Sequence, residues 1–442
     1  MRADVEAVLP SVRADLEALV RIPSVSSDAS LLPDVQRCCS AVADLLRAEG
    51  LAVTVLSVAG GLPAVVGRRA APPGAPTVLL YAHYDVQPVG SGWSSPPFDP
   101  VERDGRLYGR GAADDKAGIA VHLAALRALV PDLPVGVVVL VEGEEEIGSP
   151  SLPGLLAAHR DLLAADVLVL ADAMNWRVGV PALTTTLRGG VSAVVEVRTL
   201  ERPVHNGVFG GPVPDALTCL SRLLATLHDT AGDVAVPGLV RGKADPLDLT
   251  EADLRADAGV LDGVHLIGTG SLTSRLWAAP ALSVVGIDAP PVEGSSMVLV
   301  PRARARIALR LAPGQDPSRA LDALSAHLTA AAPWGAQVTV TPGGTVAPFT
   351  AATSGWAYDA AHRALSEAWG VPAVDVGVGG SIGFIASFAE AFPDAQILVT
   401  GVEDPDTSAH GPDESLHLAD FARACLAETL LLELLAAPTT PP

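Results

Sequence analysis

Lysine is almost missing from this chain. Among 442 residues only Lys116 and Lys243 carry an ammonium group, and 29 basic residues face 50 acidic ones, a formal net charge of −21. A polyanion-binding surface is excluded as the main business of such a protein, so neither nucleic acid nor an anionic membrane is expected as a partner. Cysteine is scarce too. Cys38 and Cys39 are adjacent, Cys219 and Cys425 are solitary, and no CxxC pair occurs. That pattern excludes a disulfide framework and a thiolate metal site, and it fits free thiols in a reducing compartment. Long apolar runs are also absent. A stretch such as Val135–Val141 falls far short of the ~20 residues a membrane helix needs. Met1-Arg2-Ala3-Asp4 passes straight into an amphipathic pattern, so no leader is expected and the cytoplasm is the expected compartment.

What is present describes a soluble globular chain, not a disordered one. Apolar residues make up 49% and charged residues 18%, and the length favours two domains over one core. Val5, Val8, Leu9, Val12, Leu16, Leu19 and Val20 recur at helical spacing, and a second helix is expected over Pro33–Glu49. Strands are expected at Leu51–Val58, Ala64–Gly67, Thr77–Ala82, Val135–Val141, Val167–Leu170 and Gln396–Thr400, with helices after Lys116, over Leu152–Leu163 and over Leu418–Ala437. Alternation of doubly buried strands with helices indicates an α/β sheet. From about Leu187 to Ala347 the period changes to two. Gly190–Thr199, Ala281–Ile287, Ala303–Leu311 and Ala336–Thr341 read as strands around helices Pro214–His228 and Pro317–Ala332. That β-α-β-β-α-β order suggests a ferredoxin-like α+β module inserted into the first domain, with Ala231–Pro280 an irregular insertion within it. The expected division is residues 1–186 and 348–442 for the first domain and 187–347 for the insert.

Candidate ligands gather at the strand ends, where open α/β sheets bind their ligands. His83 and Asp85 follow the Thr77 strand, Glu145 and Glu146 follow the Val135 strand, and Asp172 follows the Val167 strand. His410 lies past the Gln396 strand, and Asp114 opens a helix. Taken alone, Glu142–Glu146 reads as a solvated acidic turn, the usual state of a charge run. Taken together, His83, Asp114, Glu146, Asp172 and His410 are mixed nitrogen and oxygen donors without sulfur, suited to zinc, with manganese or cobalt as alternatives. Five ligands exceed what one catalytic zinc uses. Two cations sharing a carboxylate, about 3.5–4 Å apart, account for the surplus. Glu145 is then placed to move a proton at a metal-bound water.

These residues resemble a known family. His83-Tyr84-Asp85-Val86-Gln87-Pro88, Gly109-Arg110-Gly111 through Asp114-Asp115-Lys116, Glu142-Gly143-Glu144-Glu145-Glu146-Ile147-Gly148-Ser149 and Asp172 are similar to the co-catalytic dizinc metallopeptidases. Within that family the chain looks most like the branch of carnosinases and cytosolic nonspecific dipeptidases, through Val86-Gln87-Pro88, the triple glutamate, and His205-Asn206-Gly207-Val208-Phe209-Gly210-Gly211. The resemblance implies a mixed sheet flanked by helices, with the insert serving as lid and dimerisation domain. It implies that His83 and Asp172 hold one cation, that Glu146 and His410 hold the other, and that Asp114 bridges them. It further implies that Asp85 orients His83, that Glu145 is the general base, and that the Asp114–Asp115 peptide is cis. His205 would stabilise the developing oxyanion in a partner subunit of a homodimer. Arg310 would hold the substrate carboxylate, together with Gly380 and Ser381 of the Gly379-Gly380-Ser381-Ile382 loop.

Four positions depart from the family pattern. Asn206 stands where serine is common, Met297 stands near a usually polar position, and Pro203-Val204 replaces a more polar lead-in. The expected activity is hydrolysis of small dipeptides with a free carboxylate. Deacylation of an N-acyl amino acid by the same machinery is the alternative, and a non-catalytic binding protein on the same fold is a remote one. The remaining histidines, His122, His159, His228, His265, His327 and His362, are expected to be structural or exposed. His417 is the competitor to His410.

Overall fold

The apolar run before Glu142 is a strand buried along its whole length, Gly136–Glu142, and it sits inside a six-stranded sheet. The computed structural model describes residues 1–58, 60–380 and 383–436. By first residue, the strand order is Ala52, Ala64, Gly136, Thr77, Val167, Gln396. The last four run parallel, while the two at the Ala52 edge are antiparallel. The continuous apolar sequences at Thr77, Gly136 and Val167 are explained by this placement, since both faces of each strand are covered. Helices Arg2–Val20, Leu32–Ala48, Lys116–Leu129, Trp356–Trp369 and Leu418–Ala436 share one core with the sheet.

The chain forms two compact units, and this sheet belongs to the first: Met1–Thr185, Ala351–Val376 and Gly383–Pro442. The second comprises Thr186–Thr350 with Gly377–Ile382. Its antiparallel sheet has the order Ala281, Arg302, Gly189, Gln337 by first residue. Inward residues of Gly189–Arg198 and Arg302–Leu311 alternate with outward ones along each strand, as a half-covered sheet requires. Helices Ala216–Ala225 and Pro317–Ala330 cover the inner face through Cys219, Leu220, Leu223, Leu324 and Leu328. Both helices begin at aspartate caps: Asp215 accepts from the Thr218 N–H, and Asp316 from those of Ser318 and Arg319. The β-α-β-β-α-β order read from the period-two pattern is the observed one.

Some local expectations are corrected. The 231–280 stretch is not wholly irregular: Glu251–Ala258 is a helix, started by a Thr250/Asp253 capping box. The helix expected over Leu152–Leu163 breaks at His159 into Leu152–Ala158 and Arg160–Leu163. Helices Trp356–Trp369 and Gly383–Ala391 and the strand Val374–Val378 were not anticipated. No helix among the described residues is long and apolar enough to cross a membrane.

Candidate metal centre

His83 ends the Thr77–His83 strand, whose neighbours on both sides run parallel, so its ring emerges from the middle of the sheet fully buried. Its Nε2 lies 3.1 Å from Asp114 Oδ1 and 4.0 Å from Asp172 Oδ2. Its Nδ1 faces the Asp85 carbonyl at 3.0 Å and the Asp85 carboxylate at 3.4 Å. Asp85 does a second job with that carboxylate, accepting the backbone N–H groups of Glu145 at 3.2 Å and Glu146 at 3.1 Å. One residue therefore sets both the tilt of a ring and the start of the neighbouring acidic loop.

The other carboxylate oxygen of Asp114 lies 3.1 Å from His410 Nε2, and that nitrogen is 3.2 Å from Glu146 Oε2. Two groups result, His83–Asp114–Asp172 and Asp114–Glu146–His410, each with donor atoms within 4.8 Å of one another and with Asp114 common to both. The Asp114–Asp115 peptide is cis. Asp115 caps the Lys116–Leu129 helix through the Gly118 N–H, and its other oxygen accepts the His83 N–H at 3.2 Å.

The acidic turn divides its labour. Glu142 accepts hydroxyls from Tyr81 and Ser149, and Glu144 accepts from Leu62 N and from Ser151. Both are tied down as framework, and Gly143 between them gives way to the Tyr84 hydroxyl, which an added Cβ would meet at 2.3 Å. Only Glu145 and Glu146 are left for the cluster. Gln87 holds Glu146 Oε2 at 2.8 Å, while the buried Glu146 Oε1 has no hydrogen-bond partner among the described residues.

Ionisation follows from this crowding. Burial works against the charged form of Asp114, yet the His410 and His83 hydrogen bonds keep its carboxyl well below the usual range. Burial, with the charge of Asp172 beside it, pushes Glu145 up to about 9. Burial pushes Asp172 up to about 7, with the Asp114 charge adding to it against the pull of His83. Hydrogen bonds to Asp114 and Glu146 raise His410 to about 10. A cluster of buried carboxyls that repel one another is short of positive charge, which a divalent cation would supply. The orphaned Glu146 oxygen, the shared Asp114 carboxylate and the all-nitrogen-and-oxygen donor set fit such cations.

Several contributors had no local signal in the sequence. Glu414 accepts the N–H groups of Gly111, Ala113 and Asp114 at 3.0, 3.0 and 3.1 Å, and Arg110 Nη1 at 2.7 Å. It fixes the turn that presents Asp114 from three hundred residues away. Glu403 is a further carboxyl held above its usual range, by burial and by the charges of Asp114 and Asp172. Lys116 points away from the cluster, donating to the carbonyls of Leu19 and Ile22. His122 is buried against Glu428 at 2.8 Å, a structural pair. His417 stays out of both groups and caps Asp420 N.

The residues expected on the substrate side lie in the second unit. His205 ends a two-residue strand paired with Val298–Leu299 and is exposed, its Nδ1 accepting the Gly207 N–H at 3.0 Å. Arg310 is exposed on the strand Arg302–Leu311, opposite Gly190 on one side and Ala281 on the other. Gly380 lies in the bend after Val374–Val378, and Ser381 lies outside the described residues.

Comparison with known proteins bears directly on this cluster. The model of Peptidase family M20/M25/M40 matches residues 79–433. A cysteinylglycine-S-conjugate dipeptidase of Corynebacterium striatum is 37% identical over 398 residues, spanning 88% of this chain and 87% of its own. A Beta-Ala-His dipeptidase of Rattus norvegicus is 30% identical over 382 residues, spanning 80% of this chain and 76% of its own. The crystal structure of human carnosine dipeptidase 1 superposes with a TM-score of 0.79 at 25% identity, covering 98% of each chain.

Proposed function

We propose, from the premise that this chain belongs to Peptidase family M20/M25/M40 and is a metallopeptidase, that it is a dipeptidase cleaving the amide bond of small peptides with a free carboxylate. The relatives named as dipeptidases support that substrate class. One observation carries the reading: the two oxygens of Asp114 each lie 3.1 Å from a different histidine, and each histidine has a carboxylate of its own. His83 and Asp172 would hold one divalent cation and Glu146 and His410 the other, with zinc the best match to the donors. Bound there, the pair would polarise the scissile carbonyl and make a water nucleophile available near neutral pH.

The protein's own groups do the rest. Glu145 is anchored through its N–H to Asp85 beside the cluster, placed to take a proton from the attacking water and pass it to the leaving amine. Arg310 offers a planar fork to the substrate carboxylate, with Gly380 and Ser381 as further donors. His205 supports the developing oxyanion, acting from the partner subunit of a homodimer whose second unit serves as lid. Four free, buried cysteines support residence in the cytoplasm.

The test is a substrate panel on protein reconstituted with zinc, manganese or cobalt. Unblocked dipeptides, cysteinylglycine and β-alanyl-histidine among them, should be hydrolysed at least about tenfold better in kcat/KM than N-acetyl amino acids. A preference for the N-acetyl compounds would replace this reading with deacylation. A solution mass of one chain under the same conditions would remove the trans role of His205.

A further inference from the structure

Arg188 lies just beyond the strand Ala182–Leu187 and is 9% exposed, in a chain whose arginines are mostly on the surface. Its Nε donates to the Gly379 carbonyl at 3.0 Å and its Nη1 to the Ala279 carbonyl at 3.4 Å, while its N–H donates to Val378 O at 3.1 Å. The approach to Gly379 is close: a Cβ there would stand 2.8 Å from Arg188 Nη2 and 3.0 Å from Leu276 O. Every one of these residues belongs to the second unit.

The two carbonyls it holds are not arbitrary. Gly190, two residues after Arg188, is the residue directly opposite Arg310. Ala281, two residues after Ala279, is opposite Arg310 on its other side. Gly379 is bonded to Gly380. Arg188 thus ties the Gly379–Gly380 bend to the lead-in of the strand Ala281–Asp288, which runs beside Arg310. Burial, with the nearby charge of Arg310, lowers its own proton affinity to about 10, so the cation is kept there against a cost. Only a rigid fork can donate in two fixed directions at once, whereas an ammonium on a flexible stem cannot hold the same geometry.

We propose that Arg188 is a positioning residue for recognition of the substrate's free carboxylate, holding the Gly379–Gly380 bend and the lead-in to the Ala281 strand in register with Arg310. The inference rests on the carboxylate role given to Arg310 and Gly380 above and names a further determinant of it.

The experiment compares Arg188→Met and Arg188→Lys with the wild type, using the best dipeptide of the panel and its C-terminal amide. For the carboxylate substrate KM should rise at least about tenfold in Arg188→Met with kcat within about threefold, and Arg188→Lys should fall between it and the wild type. For the amide neither parameter should move, so the preference for carboxylate over amide collapses. Metal content should be unchanged. Equal loss on both substrates, or no loss on either, overturns the assignment. Should Arg188→Met not fold, Arg188→Lys decides the question by the same ratio. If the wild type cleaves nothing, the dipeptidase reading fails by itself. Calorimetric titration of the same two peptides into wild type and variant then decides the Arg188 role, which is overturned if the carboxylate preference survives the substitution.

Discussion

The two halves of the metal centre are built differently. His83 stands at the end of a central strand with none of its side chain exposed, its Nδ1 against Asp85 and its N–H held by Asp115. His410 has 59% of its side chain exposed and sits in a loop with a left-handed backbone, φ 62°. Its loop is shaped by two more residues in that region, Ser408 at φ 57° and Asp413 at φ 56°. The first half is set by the sheet before any ligand arrives. The second depends on local turns, and strained loop conformations of this kind concentrate where binding happens. The difference teaches that a site proposed to hold two cations need not be built uniformly. One position can serve as the fixed reference and the other as the adjustable one.

Predictions can break or sharpen that contrast. The largest effect belongs to the group that serves both halves without holding either: Glu145→Ala should retain both cations and lower kcat by ~10²–10⁴-fold, checked by metal analysis and steady-state kinetics. Retained turnover would remove Glu145 as the base. Next, His410→Ala should lose the cation of the exposed half alone, and metal analysis should find the His83 half still loaded. Loss of both would show the halves to be one rigid unit. A smaller effect is expected from Glu414→Gln, which leaves every donor to a cation in place but weakens the clamp on the Gly111–Asp114 turn. Metal affinity should fall ~10–100-fold, measured by competition with a chelator, with kcat of the loaded enzyme little changed.

Much of this was readable from the chain. The sheet was legible because doubly buried strands leave unbroken apolar runs, and the candidate ligands because each falls just past such a run or opens the next helix. Asp85 was legible as a partner of His83, but not as an acceptor for Glu145 and Glu146, because that bond joins residues sixty positions apart. Glu414 was invisible for the same reason on a larger scale: it precedes the strand Ser415–His417, and only the folded chain brings it under Asp114. The acidic turn Glu142–Glu146 misleads in both directions, since Glu142 and Glu144 are framework and Glu145 and Glu146 face the cluster. Helix Trp356–Trp369 went unread because its buried face is mostly alanine, which marks no apolar stripe. Arg188 carried no motif at all. Its meaning comes from two carbonyls that the sequence cannot place.

Asp114 presents one oxygen to each histidine, and that has a consequence for how the protein fills. A single negative charge cannot neutralise two dications independently. With two ions held as proposed, whichever entered first would draw on the full carboxylate, and the second would meet a weakened attraction plus the repulsion of its neighbour. Occupancy should therefore climb in two unequal steps. Over the range of scarce metal between them, half-filled molecules would predominate, so the cell's supply of the ion, more than the amount of protein, would set how much of it works.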